Sequence, residues 1–264
     1  VSSRGDRGFG LMRISDGQPP TVVGVAPAGD MNFALFGAGG RRFITIGSGG
    51  WKGDGSFVPA RSEIFDSADP AHPRKVGEII LETDSQFVRP WGDYMLIGES
   101  RVNPTPLGGS LRIFQMVGDD AGKEVGRLEG ATRPIAVDGD RAYVVRSCGG
   151  RVQPTAPPLI VPDIMQPPPM MMGYDPAFPD CLAVVDLSDP SRPESIGERP
   201  MSDTGAPTAL ATYGGYVYMP MFGEGVLVAD ARGAGAPVLL DARPAKGMQW
   251  QMLLDNFSPG GHLD

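Results

Sequence analysis

The stretch LAVVDLSDPSRPESIGER, residues 182–199, decides the fold. It joins a run of alternating apolar residues to a turn rich in Asp, Ser and Pro, followed by a second run that contains Ile-Gly. Such alternation is typical of a half-buried strand, and Asp, Ser and Pro are common in tight turns. The stretch therefore predicts two antiparallel strands joined by a short turn.

This unit recurs along the chain, which indicates a repeat architecture. The copy at 111–128 lacks the Asp-Pro pair, and the copy at 226–243 lacks the Gly after the second run. The four other copies read LMRISDGQPPTVVGV at 11–25, EIFDSADPAHPRKVGEI at 63–79, LRIFQMVGDDAGKEVGRL at 111–128 and VLVADARGAGAPVLLDAR at 226–243.

A second kind of hairpin precedes each of the last four copies. In it, two apolar runs flank a tight turn with Gly or Asp, residues that supply the positive φ angles of two-residue hairpins. These hairpins read FALFGAGGRRFITIG at 33–47, FVRPWGDYMLIG at 87–98, IAVDGDRAYVVR at 135–146 and ALATYGGYVYMP at 209–220.

Together the two hairpins make a four-stranded antiparallel unit, and no stretch shows sustained helical periodicity. Four short strands per unit, repeating about every 45 to 70 residues, predict an all-β protein, a β-propeller of four-stranded antiparallel blades. We expect about five blades, or a fragment of a larger propeller, in a single domain over residues 1–264. The predicted blade units are 1–28 (partial), 29–82, 83–129, 130–202, 203–245 and 246–264 (partial).

The fragment DLSDPSRPESIGE, preceded by LAVVD and followed by YGGYVYMP, resembles the LVIVD repeat family. The resemblance is clear in about two blades. It implies a secreted or cell-surface propeller of bacterial or archaeal type.

The two ends of the sequence carry complementary parts of a blade. The copy at 11–25 supplies only third and fourth strands, and WQMLLDN at 250–256 is predicted to be a lone first strand. Either the two ends share a blade, which would pair open strand edges, or the chain is a piece of a larger propeller. Because the sequence starts at Val1 without Met or an apolar leader, we expect a signal segment or upstream region to have been removed.

Charge and hydropathy argue against nucleic-acid binding and against a membrane-spanning helix. The net charge of −8 disfavours binding to a nucleic-acid phosphate backbone. No run reaches the roughly 18 apolar residues that a membrane-spanning helix requires.

The long second-to-third strand connections, 48–61, 99–110 and 147–180, are the predicted functional elements, because long loops on a rigid scaffold often carry binding residues. The longest contains a Pro/Met-rich insertion, 149–180, that either docks a protein partner or caps the channel of the propeller. A partner could belong to a larger extracellular or envelope assembly. The predicted binding residues are Trp51, Arg101, Asn103, Met165, Met170, Met171, Met172, Tyr174 and Phe178.

Cys148 and Cys181 bracket this insertion, at the end of a predicted second strand and the start of the third. Adjacent antiparallel strands can bring two Cα atoms within disulfide reach. A disulfide here predicts an extracellular, cell-surface or periplasmic location. A reduced, buried pair and a two-Cys metal site are the alternatives.

No catalytic residue, resident metal or cofactor is predicted. His72 lies in a third-to-fourth strand turn and His262 in the tail, so a Ser/His/Asp triad is disfavoured. The alternative function is a calcium-dependent hydrolase or a copper- or redox-associated subunit. Its candidate ligands are Asp30, Asn32, Asp84 and Asp203 for calcium, and Met170, Met171, Met172, Met219 and Met221 for copper.

Overall fold

A computed structural model gives the fold of the chain. It divides into two units, residues 1–102 with 111–127 and residues 103–110 with 128–264. The structure describes residues 8–27, 32–38, 41–47, 50–51, 57–81, 85–99, 109–148, 180–201, 207, 209–221 and 225–243. Within these ranges, no helix is long and apolar enough to cross a membrane.

Three sheets that lie mainly in the first unit are called blades A, B and C. Blade A pairs β1 (Gly8–Arg13) with β2 (Thr21–Pro27). Blade B has the order β3 (Asn32–Ala38), β4 (Arg42–Gly47), β7 (Ala60–Asp66) and β8 (Arg74–Leu81). Blade C consists of β9 (Ser85–Trp91), β10 (Tyr94–Glu99), β11 (Ser110–Gln115) and β12 (Glu124–Glu129).

The second unit contains blades D and E, each a four-stranded antiparallel sheet in chain order. Blade D consists of β13 (Ala131–Asp138), β14 (Arg141–Ser147), β15 (Asp180–Asp186) and β16 (Glu194–Pro200). Blade E consists of β17 (Ala211–Tyr213), β18 (Tyr216–Met221), β19 (Gly225–Asp230) and β20 (Val238–Arg243). These sheets confirm the predicted four-stranded blades, whereas a single domain over the whole chain stays a prediction.

The hairpin turns have the backbone conformation that their glycines predict. Gly139 between β13 and β14 has a φ of 57°, and Gly214 and Gly215 between β17 and β18 have φ values of 60° and 79°. Positive φ at these positions gives a two-residue loop the twist of the flanking strands.

The connection between β4 and β7 differs from the predicted irregular loop. Within 48–61, β5 (Gly50–Trp51) pairs antiparallel with β6 (Phe57–Val58), so a small hairpin extends from blade B. Two-residue strands are too short to show the alternation by which sequence predicts a strand.

Apolar side chains fill the space between successive blades of each unit. Ile44, Ile64 and Ile79 of blade B pack with Met95 and Phe114 of blade C. In the second unit, Tyr143 and Leu182 of blade D belong to the same cluster as Val217, Met219 and Met221 of blade E. Each blade is thus stabilised mainly by its neighbour, as expected for stacked repeats.

Glycines in the fourth strands explain the Val-Gly and Ile-Gly ends of the repeats. At Gly24, Gly77 and Gly197, an added Cβ would come within 3.0 Å of backbone atoms in the third-to-fourth strand turn of the next blade. Residues 70–71, 121 and 235–236 form these contacts, in the order of the three glycines. The glycines therefore allow the next blade's turn to lie directly on the strand.

Aspartates shape the turns between third and fourth strands. Asp66 Oδ1 accepts a hydrogen bond from the Ala68 amide at 2.8 Å, and Asp186 Oδ1 accepts one from the Ser188 amide at 2.8 Å. These Asx turns hold the backbone in place and explain why Asp ends the third strand of the repeat.

Asp230, at the equivalent position in blade E, makes an acid-sensitive contact with Arg232. Hydrogen bonds from the side chain and the backbone of Arg232 lower the pKa of Asp230 to about 2 from its usual 3.8. Because this pKa is lower in the folded chain, the carboxylate stabilises the fold above about pH 4, and the contribution is lost as the pH falls through about 2.

We therefore expect Asp230→Asn to lower the melting temperature at pH 7 and to have a much smaller effect near pH 2, as measured by thermal unfolding across this pH range. Asp16→Asn, at an exposed turn position between β1 and β2, is the matched control. Equal losses for both variants at pH 7 would contradict a specific role for Asp230.

Candidate functional site

The base of the longest connection is the candidate site. β14 and β15 pair along their full length and end in the pair Ser147 with Asp180, so residues 149–179 begin and end side by side on blade D. The Met201 amide donates to the Asp180 carbonyl oxygen at 2.9 Å and ties this corner to the end of β16. Both ends of the connection are therefore anchored by backbone hydrogen bonds.

A disulfide joins Cys148 to Cys181 at this base, with the two Cα atoms 5.0 Å apart. Cys181 is buried, and Cys148 follows directly after β14. The predicted bond is confirmed, and the reduced pair and the two-Cys metal site are excluded. Such a bond indicates an oxidising environment, since cytosolic thiols are kept reduced.

An ion pair between a buried arginine and a half-buried glutamate lies beside the disulfide. Arg146 sits opposite Cys181 in the β14–β15 ladder and is 8% exposed. Its Nη1 lies 3.1 Å from Glu198 Oε1, and its Nη2 donates to the Glu129 carbonyl oxygen at 3.2 Å. Removing Glu198 would leave the buried charge of Arg146 without its carboxylate partner, so the pair favours the observed placement of β14 and β16.

The guanidinium of Arg146 is not fully satisfied. Its buried Nε has no hydrogen-bond partner in the part of the chain that the structure describes. The sequence reasoning missed Arg146 and Glu198, although a charged residue ending the apolar run YVVRS was a usable signal.

The structure bears on few of the predicted binding residues. The backbone of Trp51 lies in β5, and the structure does not describe its side chain. The remaining eight lie outside the described residues: Arg101, Asn103, Met165, Met170, Met171, Met172, Tyr174 and Phe178.

The residues considered for chemistry fall into separate places. His72 lies in the turn between β7 and β8, where its Nδ1 is 2.8 Å from Asp69 Oδ2 and both side chains are exposed. Met219 and Met221 are buried in the apolar cluster shared by blades D and E. Asn32 begins β3, and Asp30, Asp84, Asp203, His262 and Met170–Met172 lie outside the described residues. Among the described residues, no three His, Cys, Asp or Glu side chains are grouped to hold a metal ion.

No protein-family model matches the chain, and no curated protein matches it. A solved structure of a functionally unknown protein from Desulfotomaculum acetoxidans DSM 771 is similar, with a TM-score of 0.57 and 14% identity. The alignment covers 90% of this chain and 64% of that one, so the chain spans less than two thirds of its length.

Two further solved structures have lower similarity. The AfRom2 CNH domain aligns with a TM-score of 0.42 and 10% identity, over 88% of this chain and 59% of that one. The β-propeller domain of the Trilobed protease from Pyrococcus furiosus aligns with a TM-score of 0.42 and 14% identity, over 90% of this chain and 67% of that one.

Four-stranded antiparallel sheets in which each strand pairs with the next strand of the same sheet define the fold class. Within each unit, successive sheets pack through apolar faces and through glycine–turn contacts. This is the architecture of a β-propeller, and the sheets are its blades. Its candidate site is the disulfide-closed base of the 149–179 connection on blade D.

Proposed function

We propose that the chain is a secreted or cell-surface β-propeller of the LVIVD-repeat type that binds protein partners through its long second-to-third strand connections. The role is that of an interaction or scaffold module, and the principal element is the connection at 149–179. The observation that carries this proposal is the anchored base of that connection, with its disulfide and the Arg146–Glu198 ion pair.

A fixed base favours binding because it reduces the conformational entropy lost when a long segment docks. Cys148 and Cys181 hold the two ends 5.0 Å apart at Cα, and the Ser147–Asp180 pair aligns them. Prolines between these ends restrict the backbone further, and methionines and aromatic residues adapt to protein surfaces. The connection therefore combines a rigid anchor with side chains suited to an interface.

The disulfide also supports the proposed location. It forms in oxidising compartments, which include the extracellular space, the cell surface and the bacterial periplasm. A location at one of these sites fits partners in an extracellular or envelope assembly.

Shortening the connection tests the proposal. Replacing residues 152–179 with a short Gly/Ser linker leaves every described strand intact, and closing a shorter loop costs little entropy. We expect the melting temperature to change little and partner binding to fall sharply. Binding is measured by quantitative pull-down from the native source, followed by titration of each recovered protein against the purified variants.

Two matched variants separate the side chains from the loop as a whole. In the first, Met165, Met170, Met171, Met172, Tyr174 and Phe178 are changed to Ser while the prolines stay, and binding should again fall. In the second, His72 in the exposed turn before β8 and Arg74 at the start of β8 are changed to Ala. Binding should then be unchanged. If the shortened protein recovered the same partners as the intact one, the connection would not be the binding element, and its alternative role as a cap on the channel of the propeller would stand.

Metal analysis distinguishes this function from a hydrolase or a copper-associated subunit. The interaction module is expected to carry no stoichiometric metal after purification without chelators. One equivalent of calcium or copper, measured by mass spectrometry, would contradict it.

A further inference from the structure

The two faces of blade E differ in burial. Val217, Met219 and Ala229 point toward blade D and are fully buried. The opposite face, which we call the open face, contains side chains that are half-buried or exposed. Direct cross-strand pairs place two rows of residues on it. One row is apolar, Tyr218, Val228 and Leu240, and the other is mixed, Tyr213, Tyr216, Asp230 and Val238, with the Arg232 guanidinium 4.7 Å from the Tyr216 ring centroid.

The row Tyr218, Val228 and Leu240 is the apolar part of the open face, and it lies beside the Asp230–Arg232 ion pair. Leu240 is 41% exposed, and in the neighbouring row Tyr213 is 69% and Val238 59% exposed. By contrast, β14 and β15 of blade D are buried at successive positions, so both of their faces are covered. A contiguous apolar surface of this kind generally marks a contact with another segment or molecule.

The outer strand of blade E is not shaped to accept another blade of the repeat. Leu240 pairs with Val228 at the register where Gly197 pairs with Val184 and Gly77 pairs with Ile64. At those glycines the next blade's turn lies directly on the backbone, whereas β20 presents a leucine side chain. The occupant of the open face is therefore expected to contact side chains and not to insert a turn.

The 21 residues that follow β20 have the pattern of such an occupant. In MQWQMLL at 248–254, Met248, Trp250, Met252 and Leu254 recur at every second position, and the residues between them are Gln249, Gln251 and Leu253. This alternation predicts an extended segment with one apolar side.

The length of the intervening chain also fits. Residues 244–247 separate β20 from this segment, and four extended residues span about 13 Å. Stacked sheet faces are about 10 Å apart, so the chain can reach from the end of β20 to a position over the open face.

We propose that residues 248–254 cover the open face of blade E, with the side chains of Met248, Trp250 and Met252 packed against Tyr218, Val228 and Leu240. The C-terminal segment then completes the burial of blade E without the glycine–turn contact used between the other blades.

Paired variants on the two sides of the segment test this inference in the full-length chain. Trp250→Ser removes the central apolar side chain, whereas Gln251→Ser changes the side that should face away. We expect Trp250→Ser to increase the fluorescence of the apolar dye ANS severalfold and to lower the melting temperature by several degrees. Gln251→Ser should change neither quantity.

A double-mutant cycle then locates the contact. Trp250→Ser combined with Tyr218→Ser should lower the melting temperature by less than the sum of the two single effects, because each change removes the same contact. Additive effects, or equal effects of Trp250→Ser and Gln251→Ser, would overturn the inference.

Sedimentation velocity completes the test by examining a second copy of the chain as the occupant. If a second copy covered the open face, Tyr218→Ser would convert a dimer to a monomer while Trp250→Ser would not alter ANS fluorescence. That result would also overturn the inference. A chain that sediments as a monomer and shows the coupled effects supports it.

Discussion

Alanine in place of Gly197 is expected to lower the free energy of unfolding by about 3 kcal/mol, at the upper end of typical overpacking effects. Its Cβ would lie 2.5 Å from the Gly235 carbonyl carbon and 2.6 Å from the Ala236 Cα, both in the backbone of the turn on blade E. Backbone atoms cannot rotate away as a side chain can, so the turn must shift. The packing of Leu182 and Val184 against Val217 would loosen with it.

Thermal and urea unfolding measure this effect, with a melting temperature lowered by roughly 6 to 12 °C for a chain of this size. Gly233→Ala, in the same turn of blade E, is the control, because a Cβ there meets nothing within 4 Å. It should be neutral or slightly stabilising. If the two variants unfolded at the same temperature, the glycine–turn contact would not determine how these blades pack.

Removal of the disulfide is the second large effect. Changing Cys148 to Ser and Cys181 to Ala is expected to lower the free energy of unfolding by about 3 to 4 kcal/mol, because the unfolded chain regains the freedom of a long closed loop. The bond spans a sequence separation of 33 residues. Urea denaturation of the oxidised protein and of the double variant gives the difference directly.

The loop-entropy origin of this stabilisation can be checked in the shortened chain. With residues 152–179 replaced by a linker of a few residues, the same disulfide should stabilise the fold by about 1 kcal/mol less, since the closed loop is shorter. Identical stabilisation in the long and short forms would point to contacts around the bond instead. The Arg146–Glu198 ion pair beside Cys181 would then be the first candidate.

The blades could be predicted from the sequence because their signals are local. Alternating apolar runs predicted the strands, and the glycines at 139 and 214 predicted the hairpin turns, where the structure has positive φ angles. The disulfide was also predictable, since the two cysteines flank an insertion between strands that must pair.

Features that depend on distant contacts could not be predicted in the same way. The Arg146–Glu198 pair requires the register of three strands, which the alternation alone does not specify. The Gly near the end of the repeats could be read from the sequence, but the reason for it is a contact with a turn of the neighbouring blade, which the sequence does not reveal. The binding residues proposed in 149–179 have no periodic pattern, so sequence reasoning could place them only by the strands on either side.

The glycine–turn contact also bears on how such a chain can change over time. On the turn side it involves backbone atoms of residues 70–71, 121 and 235–236, and these turns read DPAHP, DDAGK and RGAGAP. Because every amino acid supplies the same backbone, substitutions in the turn leave the fit intact as long as its shape persists. A gene encoding such units can accumulate mutations in the codons of the turns, or duplicate a unit, while neighbouring blades still pack through this contact.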